Sequence, residues 1–156
     1  MGLRIIYLGT PQFAVPSLEA LAAADHDIVG VYTQPDRPKG RGQSIAMSPV
    51  KQAALRLGLA VHQPARIRVQ EAVDELRQLA PDLMVIVGYG QIIPQNIIDI
   101  PRFGIINVHG SLLPRYRGAA PIQWAIAHGE SVTGVTTMRI NAGLDTGDML
   151  LKAETP

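Results

Sequence analysis

Apolar and polar residues alternate along the chain with two periods, one typical of strands and the other of helices. Residues 3–8, 28–33 and 83–87 are short apolar runs rich in β-branched side chains, and each predicts a buried strand. Residues 12–24, 49–57 and 69–79 repeat apolar positions at helical spacing and predict helices. Strands that alternate with helices predict an α/β fold: a Rossmann-like, doubly wound, mostly parallel sheet flanked by helices.

Turn residues mark the boundaries of these elements. Thr10-Pro11 predicts the start of the first helix, Ser48-Pro49 the start of the second, and Gly58 its end. Residues 34–48 are interrupted by prolines and glycines, and they predict a long loop without regular structure. Further strands are predicted at 59–62, 104–109, 132–140 and from 149, a short helix or turn at 94–98 and a helix at 121–128.

Composition limits the possible classes of function. The chain has 156 residues, 47% hydrophobic and 17% charged, with a formal net charge of +1, so we expect one compact domain without a global attraction to nucleic acid or membrane. It has no cysteine and its four histidines show no metal-ligand spacing, so we expect neither a disulfide nor a metal. The apolar run at the N-terminus is too short for a signal peptide or a membrane span, which favours a cytoplasmic protein.

Asn107 and His109 stand at the carboxyl end of a predicted strand. Side chains two residues apart on a strand project from the same face, and ligands of doubly wound sheets bind beyond the carboxyl ends of the strands. An amide beside an imidazole can polarise a carbonyl and hold the oxyanion of a tetrahedral intermediate, and the imidazole can carry a proton near neutral pH. A polar strand end that is satisfied by local backbone groups is the alternative from spacing alone.

Two loops follow this pair. Residues 110–117 carry a proline and two arginines; they can close over an anionic or planar ligand, or form a packed loop with a solvated basic face. Residues 141–148 form a turn in which Gly143 and Gly147 allow the backbone to approach a ligand. Asp145 in that turn can orient His109 and favour its imidazolium form. The alternative is an Asx-type turn whose acids and glycines serve only its shape.

The sequence lacks the common nucleotide-binding motifs. Gly9-Thr10-Pro11 does not begin a G-x-G-x-x-G segment, and Gly88-Tyr89-Gly90 has no third glycine at the required spacing. There is also no G-x-x-x-x-G-K-[ST] segment. A dinucleotide-dependent dehydrogenase and a P-loop protein are therefore poorly supported.

Taken together, the segments at 107–114 and 141–148 resemble folate-dependent formyltransferases. The combination of Asn107-Val108-His109-Gly110-Ser111-Leu112-Leu113-Pro114 with Asp145 between Gly143 and Gly147 is similar to the family's catalytic pattern. Residues 33–42 (TQPDRPKGRG), 48–51 (SPVK) and 117–124 (RGAAPIQW) resemble the members of the family that act on methionyl-tRNA. The similarity extends over almost the whole chain, from residue 5 to residue 151.

The resemblance implies a reaction and its partners. The formyl group of 10-formyltetrahydrofolate, a co-substrate, would pass to the α-amino group of methionine on initiator methionyl-tRNA. Asn107 would bind the formyl oxygen as it gains charge. His109, paired with Asp145, would stabilise that intermediate and move the protons. No metal and no membrane enter this scheme, and we expect a monomer.

The resemblance also implies two binding regions. Arg37, Lys39 and Arg41 would contact tRNA phosphates from the loop at 34–48, for which a solvated flexible loop is the alternative. Ile92 and Ile93 would flank the pterin ring of the folate, for which ordinary core packing is the alternative. The full set of folate-binding residues implied by the resemblance is Gly88, Tyr89, Gly90, Gln91, Ile92, Ile93, Ser111, Leu112, Leu113, Pro114, Asn141 and Gly143.

Length is the departure from the family, whose members are longer and carry a C-terminal β-barrel that helps to hold tRNA. We therefore expect residues 1–156 to be a folate-dependent catalytic domain without its C-terminal end, taken from a longer protein. Two other functions stay open. One is formylation of a sugar amine or of a ribonucleotide amine such as glycinamide ribonucleotide; the other is a folate- or tRNA-binding module without turnover.

Overall fold

The computed structural model describes residues 2–39, 44–109, 133–139 and 149–155. The helices are α1 (Val15–Ala23), α2 (Pro49–Arg56), α3 (Gln70–Gln78) and α4 (Gln95–Ile98), with a 3-10 turn at Gln12–Ala14. The strands are β1 (Arg4–Gly9), β2 (Asp27–Tyr32), β3 (Arg37–Lys39), β4 (Ser44–Ala46), β5 (Val61–His62), β6 (Leu83–Val87), β7 (Ile105–His109), β8 (Thr133–Arg139) and β9 (Met149–Thr155). The helix predicted at 121–128 lies outside the described residues.

Seven strands form one sheet in the order β5-β2-β1-β6-β7-β8-β9. The pairs from β5 to β7 are parallel, while β8 pairs with β7 and β9 with β8 in antiparallel fashion. The chain starts in the middle, moves outward through β2 and β5, and then returns to fill the other side. This order is that of a doubly wound, mostly parallel sheet, so the predicted fold class is confirmed.

Helices cover both faces of the parallel part of the sheet. Ile5 and Tyr7 of β1 pack on one face with residues of α1 and α2, such as Leu18. Ile6 and Leu8 of the same strand belong to the cluster on the other face, with residues of α3 and α4. Because both faces are covered, successive residues of β1 are buried, and the strand appears in the sequence as an unbroken apolar run. In the described part of the chain, no helix is long and apolar enough to span a bilayer.

The predicted start of α2 is confirmed, and helical structure also begins directly after Thr10-Pro11 as predicted, although its first turn is a 3-10 turn. Ser48 precedes α2 and its hydroxyl accepts a hydrogen bond from the Lys51 amide at 3.0 Å, and Gly58 after the helix has φ +73°. Residues 12–24 divide instead into the 3-10 turn and α1. No side chain caps the 3-10 turn: the Thr10 hydroxyl donates to the Tyr89 carbonyl at 2.8 Å and accepts from the Gln34 backbone N–H at 3.3 Å.

The prediction that residues 34–48 lack regular structure is also wrong. β3 and β4 form a two-stranded antiparallel ribbon in which Arg37 pairs with Ala46 and Pro38 with Ile45. Each strand of such a ribbon has a free edge, where a proline without an N–H group is tolerated. We call residues 37–46 the arm; residues 40–43 within it lie outside the described residues.

Candidate active site

The sheet reverses its winding direction between β1 and β6, and this point defines a crevice at the carboxyl edge. Gly9 at the end of β1 pairs with Val87 at the end of β6. A Cβ on Gly9 would lie 2.9 Å from the Val87 carbonyl oxygen, so the close packing of the two strand ends requires glycine. Ligands of doubly wound sheets bind beyond the strand ends at such a reversal. Among the described residues, the segment 88–93 follows β6 at this edge, and Asn107 lies near the carboxyl end of β7.

Asn107 lies on β7, the strand next to β6, close to this crevice. It pairs with Ile86, one residue before the end of β6, and on its other side with Met138 of β8. Its side chain is half-buried. His109 stands two residues further along β7, where it pairs with Thr136. The side chain of His109 and the whole of Asp145 lie outside the described residues, so the convergence of the three groups stays a prediction.

The segment that follows β6 presents backbone at the carboxyl edge. Gly88 and Gly90 have φ values of +61° and +95°, a region that favours glycine, and both residues are exposed. Tyr89 between them turns inward and is 2% exposed, and burial raises the pKa of its hydroxyl. The two glycines therefore leave the backbone of this turn open to a ligand.

The next three residues differ in their surroundings. The side chain of Gln91 turns inward. Its Oε1 accepts from the Ile67 backbone N–H at 2.7 Å, and its Nε2 donates to the Pro64 backbone carbonyl at 3.1 Å. Ile92 is 91% exposed, which excludes core packing for that residue, whereas Ile93 is partly buried against the core cluster that contains Tyr89. Of the two isoleucines, Ile92 offers free apolar surface at this edge.

Polar side chains connect the ends of β1, β2, β5 and β6. The Gln34 backbone N–H donates to the Thr10 hydroxyl at 3.3 Å. The Gln34 side chain forms hydrogen bonds with both Gly90 and Gln91. Gln63, just after β5, donates from Nε2 to the Gln34 carbonyl at 3.2 Å. We call Thr10, Gln34, Gln63 and Gln91 the edge network. The network fixes the segment after β6 relative to the base of the arm.

Asp36 holds the base of the arm. Its carboxylate accepts from Lys51 Nζ at 2.9 Å and from Gln63 Nε2 at 2.8 Å. These two donors, Lys51 first, hold the pKa of Asp36 below its ordinary value of 3.8. Arg37, the next residue, is exposed at the start of β3. The base of the arm is thus tied to α2 and to the end of β5, and a basic side chain projects into solvent beside it.

A cavity of about 470 Å³ lies elsewhere, between the segment after β5 and α3, and contains none of the predicted site residues. His62 and Glu75 line it, with His62 Nδ1 3.1 Å from Glu75 Oε1, and the Tyr32 hydroxyl donates to the same carboxylate oxygen at 2.6 Å. The rings of Tyr32 and His62 stack at 4.7 Å. Burial, followed by the hydrogen bond to Glu75, raises the pKa of Tyr32. These contacts hold α3 on the edge of the sheet, while His62 Nε2 is buried without a hydrogen-bond partner among the described residues.

The described structure places part of the predicted site and adds residues to it. Asn107, the segment 88–93 and Arg37 all lie at the carboxyl edge. The predicted residues of the loops at 111–114 and 141–145, together with Arg41, lie outside the described residues, as does the side chain of Lys39. Sequence reasoning missed Gln34 and Gln63. Their signal was positional, since each lies within two residues of the end of a strand of the parallel sheet.

Fold and polar edge together define a doubly wound α/β protein whose candidate site lies at the carboxyl edge of the sheet. Solved structures share this architecture. The phosphoribosylglycinamide formyltransferase from Anaplasma phagocytophilum matches with a TM-score of 0.81 and 24% identity, over 100% of this chain and 73% of that one. The phosphoribosylglycinamide formyltransferase from Streptococcus pneumoniae TIGR4 matches with a TM-score of 0.77 and 20% identity, over 99% and 82% of the two chains. At these identities the likeness shows the fold alone.

The family follows from the sequence comparisons. The formyl transferase family profile matches residues 3–156. The chain is 66% identical over 153 residues to the methionyl-tRNA formyltransferase of Solibacter usitatus, and 64% identical over 153 residues to that of Koribacter versatilis, with 98% and 97% of this chain covered. The chain belongs to the formyl transferase family. It spans about half the length of these curated relatives, 49% of each.

Proposed function

We propose that the chain transfers a formyl group from 10-formyltetrahydrofolate to the α-amino group of methionine esterified to initiator tRNA. The observation that carries the proposal is the identity of 66% and 64%, over nearly the whole chain, to relatives named methionyl-tRNA formyltransferase. The solved structures named for a different acceptor, a ribonucleotide amine, are only 20–24% identical. The sequence relatives therefore favour the tRNA acceptor over the small one.

The proposed chemistry is an acyl transfer through a tetrahedral intermediate. The amine nitrogen of methionine attacks the formyl carbon, and a new C–N bond forms as the carbonyl π electrons move to oxygen. The intermediate collapses when the bond from carbon to N10 of the folate breaks. N10 takes up the proton that the amine loses, so that formylmethionyl-tRNA and tetrahydrofolate are the products. His109, oriented by Asp145, is the group that we assign to this proton transfer.

Asn107 is assigned to the oxyanion. A donor aimed at the developing negative charge accelerates the reaction most when it is held in place before the reaction and shielded from water. The position of Asn107 supports this role, since its backbone is paired on both sides within the sheet and its side chain is half-buried. An amide also stays neutral throughout, so it donates at any pH at which the protein is folded.

The segment 88–93 supports folate binding. A pterin is a planar heterocycle with several donors and acceptors, and the exposed backbone at Gly88 provides complementary groups beside Gly90, whose carbonyl already accepts from Gln34. Ile92 supplies an apolar side chain that is 91% exposed without ligand. Covering most of such a side chain with a ring contributes about 1–2 kcal/mol to binding. Gln91 is assigned a supporting role, because its side-chain amide is already bonded within the protein.

The arm supports tRNA binding. Arg37 is exposed on β3, and Lys39 and Arg41 follow in the sequence. Basic side chains on a projecting ribbon suit contact with phosphates, which orient a nucleic acid without reading its sequence. The anchored base at Asp36 gives such an arm a defined origin beside the crevice.

A formyl-transfer assay on this chain tests the proposal. Initiator methionyl-tRNA and 10-formyltetrahydrofolate are combined with the chain, and formylmethionyl-tRNA is measured; a sugar amine and glycinamide ribonucleotide serve as competing acceptors. Asn107→Ala should lower kcat by about 10²–10³ because one oxyanion donor is lost. Asn96→Ala, an exposed residue on α4, is the control and should leave kcat unchanged.

Each other outcome has a definite meaning. Turnover of a small acceptor in place of the tRNA would replace the proposed substrate. Folate binding without any turnover would make the chain a binding module. An Asn107→Ala variant with near-normal turnover would remove the assigned role of the amide.

A further inference from the structure

We propose that Gln34 is a positioning residue that fixes the segment 88–93 against the base of the arm, so that the folate-contacting backbone and the arm behave as one unit. This inference rests on the proposed function, because it concerns how the same site holds its two substrates. Gln34 lies two residues after the end of β2 at Tyr32 and three residues before the arm begins at Arg37. It is therefore the point at which the chain leaves the sheet for the arm.

The side chain of Gln34 reaches across to the segment after β6. Its Nε2 donates to the Gly90 carbonyl at 3.0 Å, and its Oε1 accepts from Gln91 Nε2 at 3.0 Å. Gln91 is itself held in place, since its side-chain amide forms hydrogen bonds with the backbone of Pro64 and Ile67. A single amide thus holds both the backbone of the turn and the side chain that supports it.

Gly90 is shaped to receive this amide. Its φ of +95° is a conformation that side chains with a Cβ rarely adopt, and a Cβ built there would lie 2.8 Å from Gln34 Nε2. The backbone of the turn and the Gln34 amide therefore approach one another as closely as they do only because residue 90 is glycine. The contact is built into the geometry of the turn rather than formed by a freely moving surface side chain.

The main chain of Gln34 is held in the same way. Its N–H donates to the Thr10 hydroxyl at 3.3 Å, and its carbonyl accepts from Gln63 Nε2 at 3.2 Å. The same Gln63 nitrogen donates to Asp36 at 2.8 Å. Pro35 between them has a fixed φ, so the direction in which the chain enters the arm follows from the orientation of Gln34.

Gln34 acts through its neighbours. Both polar atoms of its side chain are engaged with Gly90 and Gln91, so the residue is assigned no contact with a reacting atom. Its loss should free the turn at 88–91 and uncouple it from the arm. Folate affinity should fall, and folate binding should no longer change the protection of the arm.

The test compares Gln34→Met with Gln70→Met. Gln70 makes an exposed amide–carboxylate hydrogen bond to Asp74 within α3, so the same chemical change is made away from the edge. Calorimetric titration with 5-formyltetrahydrofolate, a stable folate, should show roughly tenfold weaker binding for Gln34→Met, the equivalent of one or two lost hydrogen bonds. The control should bind as the unchanged chain does. In turnover assays the loss should appear in the KM for folate and not in kcat.

Hydrogen exchange gives a second readout, at the arm. Folate should slow exchange of the amides at 37–39 and 44–46 in the unchanged chain and in Gln70→Met, but not in Gln34→Met. If Gln34→Met binds folate and protects the arm as the unchanged chain does, the inference is overturned. This holds even if the variant has a lower melting temperature, because Gln34 would then contribute only to stability. If Gln34→Met does not fold, Gln34→Glu replaces it, since that variant is nearly isosteric, keeps the acceptor for Gln91 and replaces the donor to Gly90 by a carboxylate oxygen that repels the carbonyl.

The proposed function and the inference fail differently. An unchanged chain that binds no folate contradicts the proposed function. Exchange measured without ligand then decides the inference: faster exchange at both 88–91 and the arm in Gln34→Met supports it, and unchanged exchange at either segment overturns it.

Discussion

Replacing Gly90 by alanine tests the close contact on which the carboxyl edge depends. The added Cβ would lie 2.8 Å from Gln34 Nε2, and alanine would have to adopt a φ of +95°. A neighbouring group must therefore move, and the nearest one is the Gln34 side-chain amide, which donates to the Gly90 carbonyl. The backbone strain amounts to roughly 1–2 kcal/mol. Displacing the amide adds about 1 kcal/mol. We expect the free energy of unfolding to fall by about 2–3 kcal/mol.

Gly58→Ala is the matched control. Gly58 also has a positive φ, +73°, but a Cβ built there meets no atom within 4 Å. This variant measures the backbone strain alone, about 1 kcal/mol. The difference between the two variants then reports the contact with Gln34.

Urea unfolding followed by circular dichroism gives both free energies. In a Gln34→Ala background the amide is absent, so the further cost of Gly90→Ala should fall to that of Gly58→Ala. A Gly90→Ala variant no less stable than Gly58→Ala would refute the reasoning, since the turn would then accept a side chain without moving Gln34. Equal costs of Gly90→Ala with and without Gln34 would refute it as well.

Three further predictions concern the arm, its base and the core. Because Lys51 and Gln63 lower the pKa of Asp36, its carboxylate stabilises the fold above the ordinary pKa of 3.8 and loses that effect as pH falls through the lowered value. Asp36→Asn should therefore have a lower free energy of unfolding than the unchanged chain at pH 7, and the same free energy at a pH below the lowered pKa of Asp36. A difference in this free energy that does not change with pH in urea unfolding would contradict the prediction. Tyr89→Phe should raise the free energy of unfolding by about 1 kcal/mol, because the buried hydroxyl finds no partner among the described residues; a clear loss of stability would reveal a partner. Arg41→Ala should raise the KM for tRNA, and this increase should become smaller at higher salt concentration. Arg56→Ala, at the end of α2, is the control and should leave the KM unchanged. Equal kinetics of the two variants would remove Arg41 from the proposed interface.

The sheet was predictable because its strands are buried on both faces. β6 was predicted at 83–87 and is observed at Leu83–Val87, since a central parallel strand leaves an unbroken apolar run that needs no partner to be recognised. The Ser48 cap and the Gly58 terminus were predictable for a related reason: both depend on the chemistry of one residue next to its own helix. The arm was not, because its ribbon depends on pairing between two three-residue segments that are too short to show a hydrophobic alternation.

The sequence alone determined the fold class, the resemblance to formyltransferases and the position of Asn107 near the end of a strand. Each of these follows from the residue pattern within short segments of the chain. Only the tertiary structure decided that the Thr10 hydroxyl bonds to Tyr89 rather than capping a helix, and that Gln34, Gln63 and Gln91 form one network. Gln34 and Gln91 are 57 positions apart in sequence. A polar side chain has no periodic signature that reveals its partner, so these contacts exist only once the sheet has brought the strand ends together.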